Sequence, residues 1–308
     1  MARHFHALLC IISLLGCRTG NAKEISRCTS QNTTPLFYES WCPIEIDFTL
    51  GLDDFRGIYS GSRPNSFAAL TALNLTVPIA RSFSTQLAGS YGLYNWSGIS
   101  SSLFKNSRTL EQQGFITVAA SYLTPHTCGW NAGVAYDWML NKNFGFFAED
   151  PFFDQIRSQL GYLFKGGNEL GVWGTYGYRI VHERALHLKF KGISQVNLFW
   201  SHYYKNHGYT MLWVGTPYQR GLMYTSGRAG RFIVGAQISM PITHSLSIEG
   251  HASYMQSRSV SGIMPSTNYG ANVYIGITYS IGKRRITKTS YMTLANNSNF
   301  MADTNLNF

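Results

Sequence analysis

Between Asp154 and Ile180 apolar and polar residues largely alternate. Ile156, Leu160, Tyr162 and Phe164 hold even positions while Gln155, Arg157 and Gln159 hold odd ones, and the same parity returns in Leu170, Val172, Tyr176, Tyr178 and Ile180 against Glu169, Thr175 and Arg179. Period two is the signature of a strand with one dry face. Both apolar sets share a face only if opposed residue numbers sum to an even value. A loop of Gly166-Gly167-Asn168 with Lys165 opposite Glu169 meets that condition and predicts a hairpin. Each arm is about 11 residues long, and at roughly 3.3 Å per residue and a tilt near 45° it rises about 26 Å, close to the apolar band of an outer-membrane barrel.

The same alternation predicts strands along the rest of the chain. Before the hairpin they cover about 44–52, 67–79, 82–94, 113–123 and 129–140, and after it about 192–204, 209–216, 232–240, 246–254 and 269–279. With the two hairpin arms this makes twelve. The connections alternate long and short through all the joints, which is how outer-membrane barrels separate external loops from periplasmic turns. A soluble sandwich gives no reason for such segregation. The expected fold is therefore all-β, a transmembrane antiparallel up-and-down β-barrel over residues 44–281. Residues 282–308 remain as a C-terminal tail: a periplasmic tail, a plug in the lumen, or two further strands that would make fourteen. Twelve is preferred because Lys288 and Ser290 interrupt the apolar face of 286–294.

Composition agrees. Charged residues are 13% of the chain and aromatics 15%, with 19 Tyr and 19 Phe, but no apolar run is long enough for a membrane helix. Residues 1–22 carry a basic start at Arg3, an apolar stretch from Ala7 to Leu15 and a small-residue end at Gly20-Asn21-Ala22, and read as a secretory signal peptide. Leu14-Leu15-Gly16-Cys17 also fits a lipoprotein box, so an acylated Cys17 is the alternative start. Residues 23–43 form an N-terminal segment in which Cys28 and Cys42 pair in an exported chain. Cys128 is left over as a turn residue. Without Arg3 and Arg18 the chain keeps 23 basic side chains of its 25 against 15 acidic ones. An exported basic chain meets phosphate on outer-membrane lipid and on small anionic solutes; nucleic acid is not an expected partner.

Four strings, FAEDPFFDQIR (Phe147 to Arg157), NELGVWG (Asn168 to Gly174), QVNLFW (Gln195 to Trp200) and ANNSNF (Ala295 to Phe300), give the chain a resemblance to a family of exported barrel-like proteins from planctomycete-type and chlamydia-related bacteria. The resemblance spans roughly Trp41 to the C-terminus and implies an outer-membrane barrel. It implies no catalytic or ligand residue, and it places ANNSNF within the domain.

Facing inward by parity are Asp137, Gln155, Arg157, Gln159, Glu169, Arg179, Glu249 and His251, the expected lumen lining. One use of them is a pore whose opposed charges set a solute preference; the other is mutual pairing that fills the lumen. Basic residues of the long loops, among them Arg63, Lys105, Arg184 and Arg220, are placed to meet surface-lipid phosphates or to draw anions inward. Ser247, Glu249, His251 and Ser253 share a face, so a membrane hydrolase acting on lipid or peptide is an alternative. Polar residues at period two arise on any wet strand, and no enzyme is the preferred expectation. Glu149, Asp150 and Asp154 cluster without metal-loop spacing, and neither metal nor cofactor is expected. The function expected is a passive porin-like channel or a surface structural protein in the outer membrane, with a soluble surface sandwich as the remaining alternative.

Overall fold

The computed structural model describes residues 44–57, 66–80, 82–100, 108–124, 128–144, 149–183, 188–205, 207–222, 227–257, 269–281 and 291–305. The predicted signal peptide and the Cys28–Cys42 pair lie outside them.

Fourteen of the fifteen strands precede the tail: β1 (Glu45–Arg56), β2 (Ser66–Ala80), β3 (Phe83–Ser100), β4 (Arg108–Tyr122), β5 (Gly129–Lys142), β6 (Phe152–Leu163), β7 (Asn168–Tyr176), β8 (Ile180–Glu183), β9 (Leu188–Gly192), β10 (Gln195–Tyr203), β11 (Tyr209–Pro217), β12 (Gly230–Pro241), β13 (Leu246–Ser257) and β14 (Tyr269–Ile281). The fifteenth, β15, is Ala302–Thr304. Twelve of them close into one antiparallel barrel in which each strand pairs with its neighbours in sequence, except that β7 passes to β10 and β14 returns to β1. β8, β9 and β15 make a separate three-stranded sheet. Since β15 pairs with β9 and not with β14, the described part of the tail, residues 291–305, adds no strand to the barrel wall.

Alternation decides which way each side chain points. On β1, Phe48, Leu50 and Leu52 face outward and are exposed, whereas Asp53 and Phe55 face the lumen and are buried. The faces of β4 and β10, which the sequence leaves mixed, resolve the same way. Gln113, Phe115 and Thr117 on β4 and Gln195, Asn197 and Phe199 on β10 turn inward, and Ile116, Leu198 and Trp200 turn outward. The barrel strands run from nine residues (β7) to eighteen (β3), and nine to twelve residues at a tilt near 45° stand about 22–29 Å tall, enough for an apolar belt matched to a bilayer. Aromatic pairs edge that belt. At the end of the short turns stand Phe83 with Tyr122 and Trp130 with Tyr162, and at the end of the long loops Tyr136 with Trp138 and Phe232 with Tyr254.

Three details depart from expectation. The β6–β7 hairpin turns through Lys165-Gly166-Gly167, with Phe164 bonded to Asn168 and Leu163 opposite Glu169. Gly166 (φ 95°) and Gly167 (φ 81°) hold the left-handed positions, so Asn168 belongs to the strand and the register moves by two, which preserves every face. β3 and β4 continue past the predicted loop start at Asn95, whose φ of 57° and the register shift between Tyr94 and Ile99 mark a bulge that breaks the alternation. Finally, β7 stops at Tyr176 and the predicted loop that follows contains β8 and β9.

Candidate functional site

The tail occupies the lumen. Residues 291–305 begin near the short turns and run up through the barrel to the long-loop end. Along this path Tyr291, Ala295, Phe300 and Thr304 are wholly buried. Near the short turns Glu169 gathers three donors, with Tyr291 OH at 2.6 Å, Tyr203 OH at 2.6 Å and Asn131 Nδ2 at 3.2 Å. Met292 lies directly on the wall, where a Cβ on Gly133 would stand 2.5 Å from its sulfur.

One level higher, Arg157 grips Asp137 through two bonds, Nε to Oδ2 at 3.0 Å and Nη2 to Oδ1 at 3.1 Å. The same guanidinium donates to Thr293 Oγ1 at 2.9 Å and to the Thr293 carbonyl. Thr117 Oγ1 donates to Asp137 at 2.9 Å and accepts Ala295 N at 2.9 Å, while Gln155 Nε2 donates to Asp137 at 3.0 Å and to the Asn299 carbonyl at 3.2 Å. A buried ion pair is tolerable only where further hydrogen bonds use up its remaining donors and acceptors. Here the tail supplies several of them.

Residues 295–300, the ANNSNF string, fold back as a compact turn. The Asn296 carbonyl accepts Phe300 N at 2.9 Å, Asn296 Oδ1 accepts Ser298 N at 2.8 Å, and Asn299 Oδ1 accepts Asn296 N at 3.0 Å. The turn projects Asn297 at Asp53, Tyr94 and Gln113, with Nδ2 3.1, 3.0 and 2.9 Å from their oxygens. Tyr94 OH and Asn272 Nδ2 also donate to Asp53, at 2.6 and 2.5 Å, and Ser298 Oγ donates to Asn272 at 2.7 Å. Above this polar layer Phe300 packs against Phe115 and Phe153 at 6.2 and 6.5 Å between ring centroids. The chain leaves the lumen as β15, with Asp303 accepting Leu222 N at 2.7 Å and Asn305 accepting Lys189 N at 2.6 Å. Burial raises the Asp303 carboxyl from its usual range to about 6, against the lowering influence of its backbone donors Leu222 and Thr304 and of Lys191.

The tail does not fill the lumen evenly. Against the β4–β7 wall Thr117, Asp137, Gln155 and Glu169 are fully buried, but Asp47, Thr49, Asn74, Glu249 and His251 on β1, β2 and β13 are half-buried. On that side a cavity of about 150 Å³ lies between tail and wall, lined by Glu45, Asp47, Asp53, Glu249, His251 and Tyr274 among others. A smaller one of about 30 Å³ adjoins it, sharing Gln237, His251, Thr293 and Asn296, and reaches Arg157, Gln159, Trp173 and Trp213.

Of the expected lumen residues, Asp137, Gln155, Arg157 and Glu169 bind the tail, Gln159 lines the smaller cavity, and Glu249 and His251 line the larger. Arg179 does not face the lumen. The alternation it was read from ends with β7 at Tyr176, and the side chain stands outside the barrel, 47% exposed and 3.6 Å from Asp154. Asp154 is itself on the outer face, where Tyr136 OH donates to it at 3.0 Å and Tyr178 OH at 3.2 Å. Among the described residues the buried hydroxyls of Ser247 and Ser253 have no hydrogen-bond partner, and His251 stacks on Tyr274 at 4.6 Å, so neither serine is hydrogen-bonded to the histidine. Among the described residues no group of three His, Cys, Asp or Glu is placed to hold a metal ion.

Asp53, Tyr94, Asn272 and Asn297 join the site without having been among the expected lumen residues. Asp53-Asp54 looks like a loop opening because two adjacent carboxylates are unusual within a strand. The continued odd-position series Asp47, Thr49, Gly51, Asp53 and Phe55 was the available signal.

Among solved structures, an outer-membrane channel from Pseudomonas putida F1 superposes with a TM-score of 0.51 at 9% identity, over 81% of this chain and 100% of that one. Outer membrane phospholipase A from Escherichia coli aligns with a TM-score of 0.41 at 8% identity over 76% and 92%. The P. putida toluene transporter TodX aligns with a TM-score of 0.40 at 7% identity over 77% and 89%. At such identities the likeness is one of fold, that of the outer-membrane β-barrels. No curated protein matches the sequence. Residues 45–302, the barrel together with its internal tail, match the Family of unknown function (DUF6666), and the chain belongs to that family.

Proposed function

We propose that this chain is an outer-membrane channel held shut at rest by its own C-terminal segment. The observation that carries the reading is the course of residues 291–305 through the lumen on a largely polar set of hydrogen bonds. A segment held by polar bonds can exchange them for water when it leaves, whereas a segment of the same length packed only through apolar side chains would expose dry surface. The wall behind it is mixed, aromatic around Phe115 and Phe153 but polar at Glu169, Asp137 and Asp53, so an emptied lumen would take up water along its polar layers. The Pseudomonas structure of the same fold is described as an outer-membrane channel, which fits this use of the barrel. The reading includes export by the signal peptide and residence among outer-membrane lipids, whose phosphates would attract the basic residues that the sequence puts in the long loops. It differs from an open diffusion pore in expecting a closed resting state.

Reconstitution into planar bilayers tests it. The full chain should be silent at low voltage, and a chain ending at Ile281 should refold into a heat-modifiable barrel that conducts in steps. Large spontaneous steps from the full chain would sink the closed resting state. A truncated barrel that folds and stays silent would assign the protein to the structural proteins of the cell surface.

A further inference from the structure

The larger cavity has the chemistry of a binding site. Its wall carries Glu45 and Asp47 on β1, Asp53 higher on the same strand and Glu249 on β13, and no lysine or arginine lines it among the described residues. Glu45 and Asp47 occupy alternate positions of one strand, about 7 Å apart. Pairing of Glu249 with Gly276 and of Gly276 with Gly51 sets Glu249 between the levels of Asp47 and Asp53. The carboxylates are thus spread along the cavity, and among the described residues no three acidic or histidine side chains gather as metal ligands.

Two further groups point to an occupant with N–H donors. Asn297 and Ser90 are 1% and 8% exposed, both line the cavity, and among the described residues Asn297 Oδ1 and Ser90 Oγ have no hydrogen-bond partner. A buried acceptor left empty is costly, and its presence beside carboxylates suits an ammonium group, which brings three donors. Between the polar groups the lining is aliphatic, from Leu70, Ala72, Met292 and Leu294. The volume, about 150 Å³, is that of a cavity able to take benzene, a molecule of about six heavy atoms.

We infer that this cavity binds a short alkyl diamine, its ammonium groups held by the carboxylate ladder and the Asn297 and Ser90 oxygens and its methylenes lying on the aliphatic strip. A single point cation lacks the reach to use separated carboxylates, an anion meets only like charge, and a neutral diol brings no positive charge to set against the carboxylates. The inference goes beyond the channel reading and does not depend on it, since binding to the folded barrel in detergent requires no conduction.

The test is titration calorimetry of the full chain in detergent micelles with 1,4-diaminobutane, at an ionic strength of about 0.1 M to screen diffuse attraction. Saturable one-site binding is expected, with 1-butylamine and butane-1,4-diol each weaker by roughly tenfold or more. Glu249→Gln should weaken the diamine by about tenfold, as should Ala72→Lys, which sets a tethered ammonium into the cavity, while Asp150→Asn in the β5–β6 loop should change nothing. Heat-modifiable gel mobility shows that each variant is folded, and the two cavity variants fail by different routes if either misfolds. Absence of saturable binding would overturn the inference, and so would equal competition by Mg²⁺. Binding that appears only after Lys283, Arg284 and Arg285 are replaced by glutamine would also overturn it, because the chain's own basic run would then be the occupant.

Discussion

At the scale of single residues the barrel is held to its tail by charges that cannot be left alone. Arg157 satisfies Asp137 with two bonds and the tail with others, and both side chains are almost wholly buried. Removing the guanidinium leaves a carboxylate in the lumen with only neutral donors, so Arg157→Met should destabilise the folded barrel by about 3–5 kcal/mol in urea titrations of heat-modifiable mobility. Adding Asp137→Asn should recover a large part of that loss; a double variant as unstable as the single one would mean that packing and not charge sets the cost. Asp303, at the mouth, makes a prediction in pH. Its folded carboxyl is raised from 3.8 to about 6, chiefly by burial, with Lys191 the described charge beside it. A raised pKa means that the folded state holds the proton more tightly, so this contribution is complete below about 3.8 and is lost as pH rises through about 6. Relative to Asp303→Asn, the wild-type chain should therefore lose up to about 3 kcal/mol between pH 4 and pH 7. A difference that stays flat over that range would show that Asp303 keeps an ordinary carboxyl.

Among elements, the β6–β7 hairpin shows both what the sequence discloses and what it withholds. Parity placed Gln155, Arg157, Gln159 and Glu169 on the lumen face, and they are there, because a strand with one wet and one lipid-facing side leaves no other phase. The loop register depended on which residues take positive φ, a matter of turn geometry that period two does not encode. Gly167 makes the point testable. With φ at 81° and a would-be Cβ 2.6 Å from the Tyr203 carbonyl, Gly167→Ala meets both strain and a clash, whereas Gly166, with open space around it, meets strain alone. Gly167→Ala should lower the unfolding free energy by about 2 kcal/mol or more, and Gly166→Asn by less than about 1 kcal/mol. Arg179 marks the other limit. The alternating pattern ran on to Ile180, but the chain had already left the barrel at Tyr176 to form the mouth sheet, whose third strand comes from more than a hundred residues later. Such long-range pairing has no local signature. For the same reason Asn297 and its partners Asp53, Tyr94 and Gln113 could not be assembled from the sequence, since each reads singly as an ordinary polar residue.

For the whole molecule the decisive asymmetry is that the tail leans on the β4–β7 wall and leaves the opposite side partly open. If the barrel conducts by releasing its tail, opening must break the layers at Glu169, at Arg157 and at Asn297 together, and a covalent tie near the entry should prevent it. Gly133 and Met292 offer the tie. A Cβ built on Gly133 stands 2.8 Å from Met292 Cγ, close to where the opposite sulfur of a disulfide sits relative to that Cβ. In a chain with Cys128 replaced by serine, Gly133→Cys with Met292→Cys should oxidise spontaneously. The oxidised protein should then stay silent in bilayers under the raised voltage or dilute urea that opens the unmodified chain, and reductant should restore its steps. Opening that is indifferent to the bond would mean that ions pass alongside a seated tail, through the carboxylate-lined side of the lumen. Replacing Glu249 with glutamine should in that event reduce the preference of the current for cations, whereas under tail release it should leave the large open-state conductance close to that of the parent.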